Sequence, residues 1–523
     1  MSRTESSIKN LITAFVGQFV GIAISFIARI VFLRSLNEEY LGLNGLFSNI
    51  LTIFSLVELG IGPAMNFALY KPLAEHDTES VKSLMALYRK AYIAIGCAIA
   101  VIGLAFTPWY TILMDEVPNI PNLTLIYWLF AANTVVSYFF SYKRALIICD
   151  EKRYIATIYR YGFYILLNVA QIIALLLTRN YILFLVLQVL FTLLENVGIS
   201  HKADKMYPYL REKKAEPLPK ETVGGIKKNI GAMVFHKIGG MVVMSTDNLI
   251  LSRYVGLVAV GLYSNYFLIT DALNKVIGQL FDSVIASVGN LNASETAEDR
   301  IKLERTFNRT FFANAWIYGF CACCLWVLFN PFISLWLGDS LLFDDLTVLI
   351  VVINFYLTGM RKAASTFRSA TGAFYYDRYK PIAESAINII ASIILAKCMG
   401  TAGVFLGTII STVTTCIWVE PYVLYKHVFH KSARRYAVMF LIYMSVTIMA
   451  CALTSLLAGM IQAGNAFWAF VLKAIICLTV PNLLFFALSF RTDGFRYFTA
   501  LAVRVLRGRG VKTPSSDDGE KRQ

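Results

Sequence analysis

The chain has 523 residues, 57% of them hydrophobic and only 15% charged, with a formal net charge of +15 at pH 7. Soluble domains carry about 25% charged residues. A shortfall spread along the whole length excludes an ordinary water-soluble enzyme and means that lipid solvates most of the chain. In a soluble protein the positive balance would point to nucleic acid. Here the lysines and arginines sit in short loops between apolar runs, a signature of membrane topology and not of a nucleic-acid partner.

A bilayer core takes about 20 apolar residues per helix, and about fourteen runs of that length succeed one another. They cover 10–34, 42–70, 91–110, 122–147, 156–178, 181–200, 230–252, 259–287, 310–335, 345–370, 382–399, 402–425, 436–459 and 466–490. The spacing predicts an all-α integral membrane protein with about fourteen transmembrane helices. The first run, Leu11 to Leu33, is longer than the core of a signal peptide and lacks a small-residue cleavage site, so it reads as an uncleaved span.

The loops agree with this count. Lys71, Lys82, Arg89 and Lys90 follow the second run, and Lys143, Arg144, Lys152 and Arg153 follow the fourth. The alternation continues to the tail from Arg491, so that about 40 of the 48 lysines and arginines fall on one side. The loops Asp115 to Asn122, Gly338 to Asp345 and Ala458 to Asn465 carry none. This bias places both termini in the cytoplasm. Trp109, Trp128 and Trp336 lie near the expected outer ends, as an aromatic belt would have them.

Polar segments divide the chain. The longest, His201 to Asn229, holds Pro208, Pro217 and Pro219 and separates six runs from eight. The expected organisation is an N-terminal six-helix lobe (1–200), a cytoplasmic linker (201–229), a second six-helix lobe (230–430), two extra spans (431–490) and a basic cytoplasmic tail (491–523). The end of the tail, Arg507 to Gln523, has the composition of a disordered segment, and its basic part is expected to touch anionic lipid headgroups.

An internal repeat relates the two lobes. Residues 9–45 align without gaps on 228–264, matching Lys9-Asn10 with Lys228-Asn229, Gly21 with Gly240, Arg34 with Arg253, and Gly42-Leu43 with Gly261-Leu262. Six runs separate the copies, so both start on the same side. The repeat is therefore parallel, with a pseudo-two-fold axis along the membrane normal, and transporters of this kind place substrate at the repeat interface.

Charges inside the runs are costly unless they face a cavity or a partner, so each is a functional candidate. In the first run Gln18, Ser25 and Arg29 share one helix face. In the seventh, Lys237 aligns with Gln18 and Asn248 with Arg29, which puts the two cations at different depths. Asp247 lies roughly 80° round from the Lys237 face. In the eighth run Asp271, Lys275, Gly278 and Asp282 share a face, and Asp271 and Lys275 form an i,i+4 pair. The second run carries Asn44, Ser48, Ser55, Glu58, Gly62 and Asn66 along one face, and Pro63 with Gly60 and Gly62 predicts a bend there.

Plain structural readings stand beside these. Asp271 and Lys275 can simply neutralise each other. Arg29 can snorkel outward, whereas Lys237 is too deep to do so easily. Glu58 and Asp247 can accept hydrogen bonds from neighbouring helices, and Gly17 and Gly21 suit close helix packing. The nine cysteines show no zinc spacing and read as small buried hydrophobes, and the five histidines form no ligand set. No P-loop, HExxH motif or nucleophile elbow is present. The expectation is a non-enzyme with no cofactor and no metal.

Three stretches carry a resemblance. Tyr40 to Asp77, Phe235 to Tyr266 and Ser141 to Ile155 (SYKRALIICDEKRYI) resemble polysaccharide-exporting flippases of the MOP superfamily, bacterial proteins that turn over undecaprenyl-pyrophosphate-linked oligosaccharides. The resemblance implies two pseudo-symmetric six-helix lobes plus two C-terminal helices, and alternating access in the bacterial cytoplasmic membrane. It implies that Arg29, Lys237 and Lys275 hold the pyrophosphate, which as a buried dianion needs cations. Glu58, Asp247 and Asp271 become candidates for coupling to a proton or sodium gradient, and Gln18, Ser25, Asn248 and Asp282 polar residues of the cavity. The implied partners are the lipid-linked glycan and the polymerase and glycosyltransferases of its pathway. Lipid II flippases of the superfamily carry more arginines in the first lobe, which argues mildly against that narrower role. The alternative is a cation- or proton-coupled multidrug exporter of the same superfamily. Such a pump needs net negative charge in its cavity, whereas here cations occupy the aligned faces. A pyrophosphate passed from Lys237 near the entrance to Arg29 near the exit is the expected path.

Overall fold

The computed structural model describes residues 3–58, 60–212, 245–292, 297–373, 376–461 and 464–506, with positions 218, 223, 224 and 226. Every regular element among them is helical. In chain order these are α1 (Arg3–Ser35), α2 (Glu38–Phe54), α3 (Ile61–Ala74), α4 (Thr78–Phe106), α5 (Leu123–Phe139), α6 (Ser141–Cys149), α7 (Arg153–Thr178) and α8 (Tyr181–Met206). Residues 245–254 form α9. Then come α10 (Leu257–Asn292), α11 (Ala297–Leu337), α12 (Asp345–Met360), α13 (Lys362–Ala370), α14 (Lys380–Ser411), α15 (Ile417–Leu424), α16 (Arg434–Gly459), α17 (Ala466–Ser489) and α18 (Asp493–Leu506).

Among the described residues, ten helices are long and apolar enough to cross a membrane, or eleven with the bent pair α5–α6. The protein is an all-helical, multi-pass membrane protein, and about fourteen spans fit it. One of the ten, Lys380–Phe429, is 50 residues long and holds two of the expected spans, because Gly400 breaks it with φ 57°. The chain folds back tightly there. A Cβ at Gly403 would lie 2.1 Å from the Leu395 carbonyl, and one at Gly407 2.3 Å from Ser392 Oγ. The run 230–252 is described only from Ser245.

Local chemistry sets the helix ends. Asn37, Asp77, Asn180 and Asn465 each accept a hydrogen bond from a backbone N–H of the first turn, satisfying donors that lack an intrahelical partner. The helix is interrupted near Gly60, where a bend was expected. The turn tightens to a 3₁₀ helix over Ser55–Glu58, and Gly60 takes φ 80°, which a side chain would oppose.

The chain forms two compact units. One comprises residues 1–278, 333–351 and 378–416, and the other 279–332, 352–377 and 417–523. The first has two apolar cores. One, around Tyr88, Leu146 and Ile199, joins α3, α4, α6 and α8. The other, around Phe47, Tyr127 and Leu185, joins α2, α5 and α8. In the same unit Gly42 of α2 meets the backbone of Leu257, and Gly261 of α10 meets that of Glu38. In the second unit, aromatic rings of α11 and α16 stack around Phe311 and Tyr436. There Cys323 and Cys451 bring their sulfurs within 3.0 Å of each other, and Tyr376 stacks on His427 with ring centroids 3.8 Å apart.

Candidate functional site

The polar stripe of α1 divides between two neighbours. Its lower part faces α7: the Tyr161 hydroxyl donates to Gln18 Oε1 at 2.9 Å, and the Ser25 and Tyr164 hydroxyls lie 2.6 Å apart. Gly17 makes this approach possible, since a Cβ there would sit 2.2 Å from the Tyr161 ring. The Gly17–Gly21 spacing is thus a packing device.

Arg29, one turn beyond Ser25, reaches α10. Its Nη1 donates to Ser264 Oγ at 2.7 Å and to Asn265 Oδ1 at 3.2 Å. Ser264 in turn donates to the Gly261 carbonyl at 2.8 Å, so the arginine is tied to the α2–α10 crossing. Both of its partners are neutral. Among the described residues no carboxylate pairs with this half-buried guanidinium.

Asp247 of α9 belongs to a buried network with α14. The Thr408 hydroxyl lies 3.2 and 3.3 Å from its two oxygens and itself accepts from Asn388 Nδ2 at 2.9 Å. Asn388, fully buried, accepts from the Thr246 hydroxyl at 3.2 Å. Among the described residues no cation pairs with Asp247. Beside it, Asn248 Oδ1 is buried without a hydrogen-bond partner.

Glu58 ends the 3₁₀ turn. Its Oε1 accepts from the Tyr92 hydroxyl at 2.8 Å, and Tyr88 continues the chain to Asn66 at 3.2 Å. Asp271 and Lys275 form the expected pair at 2.6 Å, so Lys275 holds its charge against its own helix neighbour. Lys237 lies outside the described residues, as does the side chain of Asp282, and with Lys237 the path between the two staggered cations.

The tyrosines of α4 and α7, and Ser264, Asn265, Asn388 and Thr408, were not singled out by sequence. Asn388 and Thr408 were visible as polar residues inside the eleventh and twelfth runs, but nothing local joins them to Asp247. The segment Ser141 to Ile155 supplies ion pairs within the first unit. Arg144 bonds Glu195 at 2.6 Å, Lys143 bonds Asp204 at 2.7 Å, and Lys152 and Tyr207 both bond Asp150 at 2.6 Å. In the second unit Arg361 pairs with Glu420 at 2.9 Å, and Arg368 bonds Asp377.

No family model and no curated protein matches the chain. Solved structures do. The lipid II flippase MurJ in an inward closed conformation superposes with a TM-score of 0.63 at 14% identity, over 94% of this chain and 100% of that one. An inward-facing MATE family multidrug resistance transporter of the MOP superfamily gives 0.60 at 14% identity, over 79% and 98%. A mutant of the Vibrio cholerae MATE transporter VcmN gives 0.56 at 12% identity, over 81% and 97%. This chain has the fold of the MOP-superfamily transporters.

Proposed function

We propose that this protein flips an undecaprenyl-pyrophosphate-linked oligosaccharide across the bacterial cytoplasmic membrane by alternating access, for surface polysaccharide synthesis, with both termini cytoplasmic. The observation that carries the reading is Arg29, an intramembrane guanidinium whose partners, Ser264 and Asn265, are both neutral. A fork of donors without a carboxylate suits a phosphoryl oxygen, and charge-assisted contacts of this kind are the strong ones. Lys275, already neutralised by Asp271, is the weaker member of the proposed set. Polymerases and glycosyltransferases of the same pathway are the functional partners.

Asp247 favours a second reading. A buried carboxylate that has no cation partner among the described residues suits proton or sodium coupling, and an exporter of small cations needs one. Reconstitution in proteoliposomes separates the two. Translocation of lipid-linked oligosaccharide should fall roughly tenfold to a hundredfold in Arg29→Ala and partly recover in Arg29→Lys. Normal translocation by Arg29→Ala at equal reconstitution, or dye efflux without lipid turnover in the wild type, refutes the flippase reading.

A further inference from the structure

In the second unit, α11, α16 and the start of α18 enclose a cavity of about 630 Å³. Arg305, Arg309, Arg435, Tyr443, Asp493 and Gly494 are among its walls. It lies at the ends of α11 and α16 that carry the basic loops.

The acidic groups in this wall are engaged. Arg309 donates from Nε and Nη2 to the two oxygens of Asp493 at 2.8 and 3.1 Å, and Glu304 is bonded by Lys431. Arg305 and Arg435 are exposed and, among the described residues, make no direct ion pair, although the charge of Arg305 also acts on Asp493. The first turn of α18, where Thr492 Oγ1 accepts from the Phe495 N–H at 3.3 Å, adds the positive end of its dipole to the same wall. The cavity therefore presents to one space two guanidinium groups that make no direct ion pair among the described residues, together with a helix N-terminus.

Close packing fixes the start of α18 against α11. Gly494 packs on the Phe312 ring, where a Cβ would sit 2.8 Å away. Phe495 stacks on Trp316 at 6.0 Å, and Tyr497 lies under the Arg309 guanidinium at 4.2 Å. Helix α18 is amphipathic, the pattern of a helix that rests in a membrane surface at the level of the phosphate groups. Along α16, Val438, Ile442 and Met449 continue the face of Arg435, and all three are exposed. An acyl chain would run along them below a headgroup held at Arg435.

We propose that this cavity binds the phosphodiester headgroup of an anionic phospholipid, with Arg305 and Arg435 as its cationic ligands. Basic pockets between transmembrane helices at this level recognise such groups. The lipid would fasten α18 to the end of the helix bundle.

Native mass spectrometry of the full-length, delipidated protein tests this with phosphatidylglycerol, phosphatidylcholine and inorganic phosphate as probes. The wild type should retain phosphatidylglycerol in preference to phosphatidylcholine. The double variant Arg305→Ala/Arg435→Ala should bind phosphatidylglycerol roughly 30-fold more weakly, while Lys71→Ala, which removes an exposed cation outside the cavity, should bind it normally. Equal retention of the two lipids by the wild type, a comparison that needs no variant, overturns the proposal. So does a folded double variant that binds phosphatidylglycerol like the wild type. Displacement of the lipid by inorganic phosphate at equal concentration would assign a soluble phosphoryl anion instead and overturn the lipid assignment.

Discussion

Gly42 of α2 and Gly261 of α10 share one helix crossing in which each glycine rests on the backbone of the other helix. A Cβ at Gly42 would come within 1.9 Å of the Leu257 carbonyl oxygen, and one at Gly261 within 2.5 Å of the Glu38 carbonyl oxygen. The repeat alignment turns one contact into the other, pairing Gly42 with Gly261 and Glu38 with Leu257. Two such copies facing each other are what a pseudo-two-fold axis produces. Arg29 is bound beside this crossing through Ser264.

Alanine at either glycine should therefore destabilise the protein by about 1–3 kcal/mol, because backbone and not a flexible side chain stands in the way. The double variant should fall short of the sum, since both changes act on one contact. Gly162→Ala in α7, where a Cβ would meet nothing within 4 Å, should be neutral or stabilising by up to about 1 kcal/mol. Thermal unfolding in detergent reads all four.

Asp247→Asn keeps the size and the acceptor oxygen that Thr408 uses, and removes the charge. If Asp247 carries the coupling ion, transport by this variant becomes insensitive to an imposed proton or sodium gradient while substrate binding survives. Gradient-driven transport that matches the wild type assigns Asp247 to structure alone. Thr408→Val is the companion, since it strips the hydroxyl from the same network.

Glu420 is nearly inaccessible, at 1% side-chain exposure, and pairs with Arg361 at 2.9 Å and Arg368 at 3.9 Å. Glu420→Ala leaves two guanidinium groups with one carboxylate fewer, and removing one partner of a buried pair costs about 3–5 kcal/mol. Arg144 and Glu195, in the first unit, are each about one fifth to one quarter exposed. Breaking that pair should cost less, about 1–3 kcal/mol. A loss of folded yield in the first variant and a milder drop in melting temperature in the second are the expected outcomes.

The Arg309 guanidinium holds the Asp493 carboxyl below the usual carboxylate range, chiefly through its hydrogen bonds. A carboxyl whose folded pKa is depressed stabilises the fold above its unfolded value of about 3.9 and loses that contribution as pH falls through the folded pKa. Docking of α18 should thus be constant from about pH 5 to 8 and loosen below about pH 4. Asp493→Asn should loosen it at neutral pH. Hydrogen exchange of α18 amides measures both, and exchange unchanged by Asp493→Asn would show that Phe495 and Gly494 alone hold the helix.

Much of this molecule was legible along the chain. Apolar length marks a span because lipid offers no hydrogen bonds to an open backbone. The break in the helix near Gly60, the Asp271–Lys275 pair and the glycines at Gly17 and Gly21 were all readable, because each depends on residues within a turn or two, whereas the 3₁₀ turn over Ser55–Glu58 was not read from the sequence. The repeat also showed itself, since equal offsets between matched residues need no structure to be seen.

Tertiary structure alone decided which polar groups meet. Arg29 and Ser264 are 235 residues apart, Asp247 and Thr408 161, and Lys143 and Asp204 61. Hydropathy cannot announce such pairs, because in a membrane the face that packs and the face that meets lipid are equally apolar. The chain's own composition therefore determined that the protein spans a membrane and where its cations stand. Whether a cation meets a carboxylate on another helix, as Arg361 meets Glu420, or neutral oxygens, as Arg29 meets Ser264 and Asn265, was settled by the packing of segments far apart in sequence.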